Sequence, residues 1–274
     1  MSGGPSTIPA PGTQTDRFSM PAAAGPGRRS RWPFPRTARP SVPRGVTMEE
    51  GDSDPARRGR TVRYRDRAHA GRELAAVLGE LRDEGALPDP IVLALPRGGA
   101  AVAAEVAREL SAPLDVLVVR KIGAPFHEEF GVGAIAGDDP PLLDLATLAH
   151  LDLSEDSLAP VVERERQELR RRERRYRAGR PPPALRGRTV LVVDDGLATG
   201  CTARAALRHV RRRSPARTVL AVPVGAPDSL DALAAEADLV VCPYRPAVFS
   251  AVGQWYDDFG QLTDDDVLDA LRRA

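Results

Sequence analysis

Val190-Leu-Val-Val-Asp-Asp-Gly-Leu-Ala-Thr-Gly-Cys-Thr202 sets the fold class of this chain. Its opening residues are uniformly apolar, without the polar alternation of a half-exposed strand, so they read as a strand buried on both faces. Two acids then leave the carboxyl end of that strand, Gly196 and Gly200 permit tight turns, and Thr199 to Thr202 open a helix. Ligands of open α/β sheets bind outside strand carboxyl ends, and the free N–H groups of a helix start attract phosphate. Carboxylates beside such a terminus repel phosphate unless they hold sugar hydroxyls or a metal. The run therefore suits a sugar phosphate, with Asp194 and Asp195 on hydroxyls and the amides and threonines on phosphate. The same residue types also describe an ordinary βα turn with capping Asp and Thr.

Outward from this run, apolar periodicity predicts strands and helices in alternation. Helices are predicted over 68–81, 100–110, 154–177, 202–212, 229–237 and 264–273. Strands are predicted over 91–95, 114–119, 189–193, 218–222 and 239–242, with short strands at 132–136 and 142–143. Residues 121–131, punctuated by Gly123, Pro125 and Gly131, read as a loop. Strands alternating with helices imply a parallel sheet covered on both faces. Residues 1–60 are rich in Pro, Gly, Ser and Arg and read as a disordered extension, with Met48 as an alternative start; residues 61–274 form the folded domain.

Two further strand ends carry chemistry. Leu95-Pro-Arg-Gly-Gly99 sits before a helix. Gly98 and Gly99 let backbone approach a ligand, and Arg97 offers a two-pronged donor to phosphate oxygens; a plain turn fits the same residues. Val119-Arg120-Lys121 closes the second strand, as a solvated basic end or as a functional one. Lys121 is the single lysine among 39 basic residues, retained in a chain whose Arg, Ala, Gly and Pro richness points to a high-GC coding bias. The following Phe126-His-Glu-Glu-Phe130 holds titratable His127 and two carboxylates, Glu128 and Glu129, that could serve as acid or base; charged surface loops also look like this.

With 39 basic and 38 acidic residues, bulk charge gives no argument for nucleic acid or an anionic membrane. Cys201 and Cys242 form no CxxC pair, so zinc and a disulfide framework are not indicated, and a reducing, cytoplasmic setting fits. No apolar run reaches membrane-helix length. Gly131-Val-Gly-Ala-Ile-Ala136 matches GxGxxA but lies too far along the chain, and its apolar tail reads as strand. The Arg-rich segment 163–177 has glutamates at helical spacing from its arginines, favouring a salt-bridged, solvated helix over a nucleic-acid grip. Trp255, Tyr256 and Phe259 stand out in a chain with 4% aromatics; stacking on a base, core packing and a dimer contact all suit them.

The stretch 192–202 resembles the signature of type I phosphoribosyltransferases, which bind phosphoribosyl pyrophosphate (PRPP). The likeness covers roughly residues 64–260. It is closest to a group of bacterial phosphoribosyltransferase-domain proteins that combine LPRGG, DVLVVRKIG, VDDGLATG and a late VGxWYxDF, here Val252 to Phe259. The resemblance implies the type I phosphoribosyltransferase fold, an α/β structure with a parallel sheet, helices on both faces and a small hood contributed by terminal segments. It implies Asp194 and Asp195 on the ribose hydroxyls and on Mg²⁺, Gly196 and Leu197 in the turn, and Ala198, Thr199, Gly200, Cys201 and Thr202 around the 5-phosphate. It places Arg97, Gly98, Gly99 and Arg120 on pyrophosphate, and Lys121 at the start of a mobile catalytic loop. Glu128 and Glu129 remain the acid–base candidates. Hypoxanthine–guanine enzymes carry an acid directly before the Thr-Gly; Ala198 stands there, so a purine-protonating acid is missing from this loop. The implied activity is that of a pentosyl (phosphoribosyl) glycosyltransferase of nucleotide metabolism. Its partners would be PRPP and an unnamed nitrogenous base, and a homodimer is usual in the family. A PRPP- or nucleotide-sensing regulator without catalysis, or a hydrolase acting on a phosphoribosyl compound, stands as the alternative.

Overall fold

Alternating burial along each strand builds the core. In the computed structural model, which describes Met1 and residues 63–274, Ile91, Leu93, Val190, Val192 and Leu220 bury against one layer of helices. Val92, Ala94, Leu191, Val193, Val219 and Ala221 bury against the other, as the two-residue period of a strand requires. The strands are β1 (Pro90–Ala94), β2 (Leu114–Val116), β6 (Thr189–Val193), β7 (Arg217–Ala221) and β8 (Leu239–Val241). They pair in the order β2-β1-β6-β7-β8, every pair parallel. Helices α5 (Cys201–Arg211) and α6 (Pro227–Leu233) form the first of these layers; α1 (Arg67–Asp83), α2 (Gly99–Leu110), α4 (Glu155–Arg177) and α7 (Asp264–Arg273) form the second. This is the expected α/β arrangement, a parallel sheet with helices on both faces. The expected 1–60 extension and the Met48 start lie outside the described residues.

β1 continues through α2 to β2 on one side, whereas β6 lies on its other side and leads on to β7 and β8. Strand order therefore reverses between β1 and β6, and the loops leaving these two strands open onto one crevice. That reversal is where α/β sheets place ligands.

Two expectations need correction. Residues 121–131 are not a loop: β3 (Val119–Ala124) and β4 (His127–Ala136) form an antiparallel hairpin, with β5 (Leu142–Leu143) beside β4. The glycines there serve close cross-strand approach. A Cβ on Gly133 would lie 2.5 Å from the Leu142 carbonyl oxygen, and one on Gly131 would meet the Lys121 side chain. Register shifts around Gly123 mark a bulge that a glycine eases. The second correction is the strand over 114–119, which splits: β2 ends at Val116, and Val119 already belongs to the small sheet. The small antiparallel sheet comes from the middle of the chain. The terminal segments meet each other, where Tyr64 N–H donates to the Trp255 carbonyl and Asp257 N–H donates to the Tyr64 carbonyl, both at 2.8 Å. A short helix, α3 (Leu145–His150), capped by Asp144, was not foreseen.

The basic helix α4 is salt-bridged along its length, as its charge spacing implies. Glu168 takes Arg171 and Arg172 at 2.7 Å each, and those guanidiniums hold its carboxyl down at about 2. Arg175 reaches Asp265 on α7, and the buried Tyr176 hydroxyl donates to Asp264 at 2.7 Å.

Candidate functional site

The acids sit where the strand reading puts them. Asp194 and Asp195 leave β6 directly, and Asp194 Oδ1 accepts from the Asp195 N–H at 2.9 Å. Burial, then the neighbouring Asp195 charge, pushes the Asp194 carboxyl well above the usual carboxylate range. Asp195 is also raised by burial, but Arg67 opposes the shift. Two adjacent carboxylates so placed gain from hydroxyl donors or a cation. Among the described residues no group of three or more His, Cys, Asp or Glu gathers to hold a metal ion.

The Pro96-Arg-Gly-Gly99 turn packs directly on these acids; its Pro96–Arg97 peptide is cis. A Cβ on Gly98 would lie 2.0 Å from Asp195 Oδ2, and a Cβ on Gly99 would lie 2.6 Å from the Val193 carbonyl oxygen. Glycine at both positions is therefore what lets the β1 loop touch the β6 loop. Two motifs far apart in the sequence thus line one crevice.

Beyond the acids, Leu197 bridges to Gly225, its N–H donating to the Val224 carbonyl at 2.9 Å. The Ser229 hydroxyl donates to the Ala198 carbonyl, which fixes the turn. Gly200, at φ +75°, occupies a left-handed conformation that favours glycine. It caps α5 without a side-chain acceptor, so no side chain from the cap competes for the first N–H groups of the helix. Ala198 and Thr199 are exposed at the turn, and Cys201 and Thr202 are half-buried.

The two basic residues of β3 part company, as strand neighbours must. Lys121 runs over Gly131 and is exposed. Burial raises the Cys201 thiol above its ordinary value, and Arg204 and Lys121 act against that rise, which places the Lys121 charge near the start of α5. Arg120 turns to α4 and pairs with Glu165 at 2.7 Å. Glu128 and Glu129 lie on β4, and their side chains fall outside what is described. His127 on the same strand is exposed.

The aromatic segment resolves into packing that reaches the acids. Trp255 and Tyr256 are buried. The Tyr256 hydroxyl donates to the Asp195 carbonyl oxygen at 2.5 Å, and Tyr256 packs against Phe259 with 4.9 Å between ring centres. Val252 sits so close to Gly196 that a Cβ there would lie 2.5 Å from its methyl.

Arg67 was missed in the sequence. It donates through Nε to Asp195 Oδ2 at 2.7 Å, with the two side chains 11% and 13% exposed. It donates through Nη1 to the Gly260 carbonyl at 2.9 Å and lies 3.9 Å from the Phe259 ring centre. The available signal was its position: Arg67 is the first residue of α1, behind the cap Asp66, where the helix dipole disfavours a cation.

Comparison with known proteins gives the family. Residues 63–249 match the family model described as the phosphoribosyl transferase domain. Proteins from Mycobacterium tuberculosis strains H37Rv and CDC 1551, both named provisionally as phosphoribosyl transferases, are each 46% identical over 213 residues. These alignments cover 77% of this chain and 47% of each relative; the chain thus spans about half the length of the curated relatives it matches. The crystal structure of TT1426 from Thermus thermophilus is similar at a TM-score of 0.64 and 45% identity, covering 76% of this chain and 97% of that one.

Proposed function

Since the chain belongs to the phosphoribosyl transferase domain family, we propose that it binds PRPP in the β1–β6 crevice and transfers its phosphoribosyl group to a nitrogenous acceptor, releasing pyrophosphate. The observation that carries this reading is the direct packing of the PRGG turn on Asp194 and Asp195 at the sheet's reversal point. One ligand can then touch both loops at once, with a sugar on the acids and a diphosphate over Arg97 and the glycines.

Asp194 and Asp195 accept from the ribose hydroxyls. The turn from Gly196 to Thr202 and the uncapped start of α5 receive the 5-phosphate. Gly98 and Gly99 present backbone to the pyrophosphate, and Arg97 forks onto its oxygens. Lys121 supplies positive charge as the leaving group departs, a charge aimed at the transition state. Arg120 would have to exchange Glu165 for the pyrophosphate to join them. The acid–base role stays with Glu128 or Glu129. The donor chemistry fits magnesium: Asp194 and Asp195 offer hard carboxylate oxygens, and their crowded negative charge favours a cation. Bound there with the substrate's oxygens, magnesium would supply charge against the ribose and pyrophosphate. We place residues 61–274 as the transferase domain and the reaction in the cytoplasm. Among the described residues no helix is long and apolar enough to cross a membrane.

A panel of purines, pyrimidines and related amines, assayed for pyrophosphate release from PRPP with Mg²⁺, tests this. Turnover with one base names the acceptor. Tight PRPP binding with no release across the panel replaces the transferase with a PRPP sensor.

A further inference from the structure

Arg67 is placed against the dipole preference of its helix. It stands at the first position of α1, where a cation opposes the dipole, and the first turn contains no acid to offset it. Breaches of a local rule mark sites that serve something else in the fold. What Arg67 serves is visible in its contacts. Its Nε is 2.7 Å from Asp195 Oδ2, its Nη1 is 2.9 Å from the Gly260 carbonyl, and its guanidinium carbon lies over the Phe259 ring, 3.9 Å from its centre. The ring and the Gly260 carbonyl thus fix the guanidinium in the pose that meets the acid.

The same acid is held from behind. Tyr256 donates to the Asp195 backbone carbonyl and packs on Phe259. The segments carrying these groups are tied together: Tyr64 pairs with Trp255 and Asp257, and the Asp258 N–H donates to the Arg65 carbonyl at 2.9 Å. The late aromatic motif and the start of α1 therefore form one buckle, whose polar tips converge on a single acid of the crevice.

We propose that Arg67 is a positioning residue that orients the Asp195 carboxylate for the ribose hydroxyls, and that the motif from Tyr256 to Gly260 exists to hold Arg67 in that pose. Arg67 engages Oδ2 and so fixes the plane in which the carboxylate lies. Lysine at this position would keep the charge but lose the guanidinium contact with Phe259 and the second donor to Gly260.

This inference rests on the PRPP reading, and the experiment separates the two. Wild type, Arg67→Ala and Arg67→Lys are titrated with PRPP and Mg²⁺ and, separately, with inorganic pyrophosphate without Mg²⁺, so that metal on the acids does not enter the second titration. Pyrophosphate meets the Arg97 loop but carries no ribose. Arg67→Ala should lose PRPP affinity by about 10- to 100-fold while its pyrophosphate affinity stays within about twofold, and Arg67→Lys should recover part of the loss. Equal losses for PRPP and pyrophosphate in both variants would reduce Arg67 to a structural residue, and wild-type PRPP affinity in Arg67→Ala would overturn the inference alone. A wild-type protein that binds pyrophosphate but not PRPP would overturn the functional reading and this inference with it.

Discussion

Gly98→Ala is the smallest change that should disable the site. Gly98 has helical φ and ψ of −56° and −45°, which alanine adopts freely, so the backbone itself resists little. The added methyl, however, would lie 2.0 Å from Asp195 Oδ2 and 2.5 Å from its Cγ. Relieving that overlap moves the carboxylate by more than about 1 Å. The 2.7 Å bond from Arg67 then stretches past hydrogen-bonding range. A hydrogen bond between charged groups contributes about 1.5–3 kcal/mol. In a domain of this size about 1 kcal/mol corresponds to 2–4 °C, so the melting temperature should fall by roughly 3–12 °C, with the fold retained because the carboxylate end of Asp195 can swing aside. A 1 Å misplacement of a binding group costs about 10²-fold, and PRPP affinity should fall by that order. Calorimetric titration of PRPP with Mg²⁺, paired with a thermal melt, reads both quantities. A Gly98→Ala protein that binds PRPP like wild type would refute the claim that contact between the β1 and β6 loops sets the position of Asp195. Gly99→Ala is the contrasting case. Its methyl would meet the Val193 carbonyl oxygen and the Asp194 Cα, at 2.6 and 2.9 Å; these are backbone atoms that cannot swing, so the fold itself should suffer.

Two further outcomes follow from particular residues. Lys121→Ala should lower kcat far more than it changes KM in the pyrophosphate-release assay with any base that turns over, because its charge is needed as the leaving group departs; a change confined to KM removes that role. His209, buried on α5 beside Asp139 with Arg212 and Arg213 also on that carboxylate, has its imidazole lowered from the ordinary histidine value by burial and Arg213, against Asp139. The unfolded chain therefore takes up its proton first as pH falls, so this contribution to stability is present above about pH 6.5 and is lost below it. The melting temperature should drop between about pH 7 and pH 5, and His209→Gln should flatten that drop; an unchanged slope would exclude His209 as its source.

β1 and β6 were legible because each is apolar on both faces, and the β6 reading held to the residue. The acids and the PRGG turn were legible as separate strand-end motifs, but nothing in their spacing says that Gly98 touches Asp195. That contact depends on β1 and β6 being neighbours, a property of strand order. The β3–β4 hairpin was misread because Gly123, Pro125 and Gly131 look like loop punctuation, whereas glycine at 131 is required by the nearness of Lys121. Arg67 was hidden because its partner lies 128 residues away. Trp255, Tyr256 and Phe259 drew notice through their rarity, yet a sequence cannot tell a stacking platform from a buttress; burial of the first two and the Arg67 contact with the third tell them apart.

The central claim is that Asp194 and Asp195 form the ribose wall of a PRPP site. Its most direct test is calorimetric titration of PRPP with Mg²⁺ into wild type and into the Asp194→Asn, Asp195→Asn double variant. Wild type should bind PRPP saturably and the double variant should show no measurable binding; equal affinity in the two proteins would take Asp194 and Asp195 out of the site.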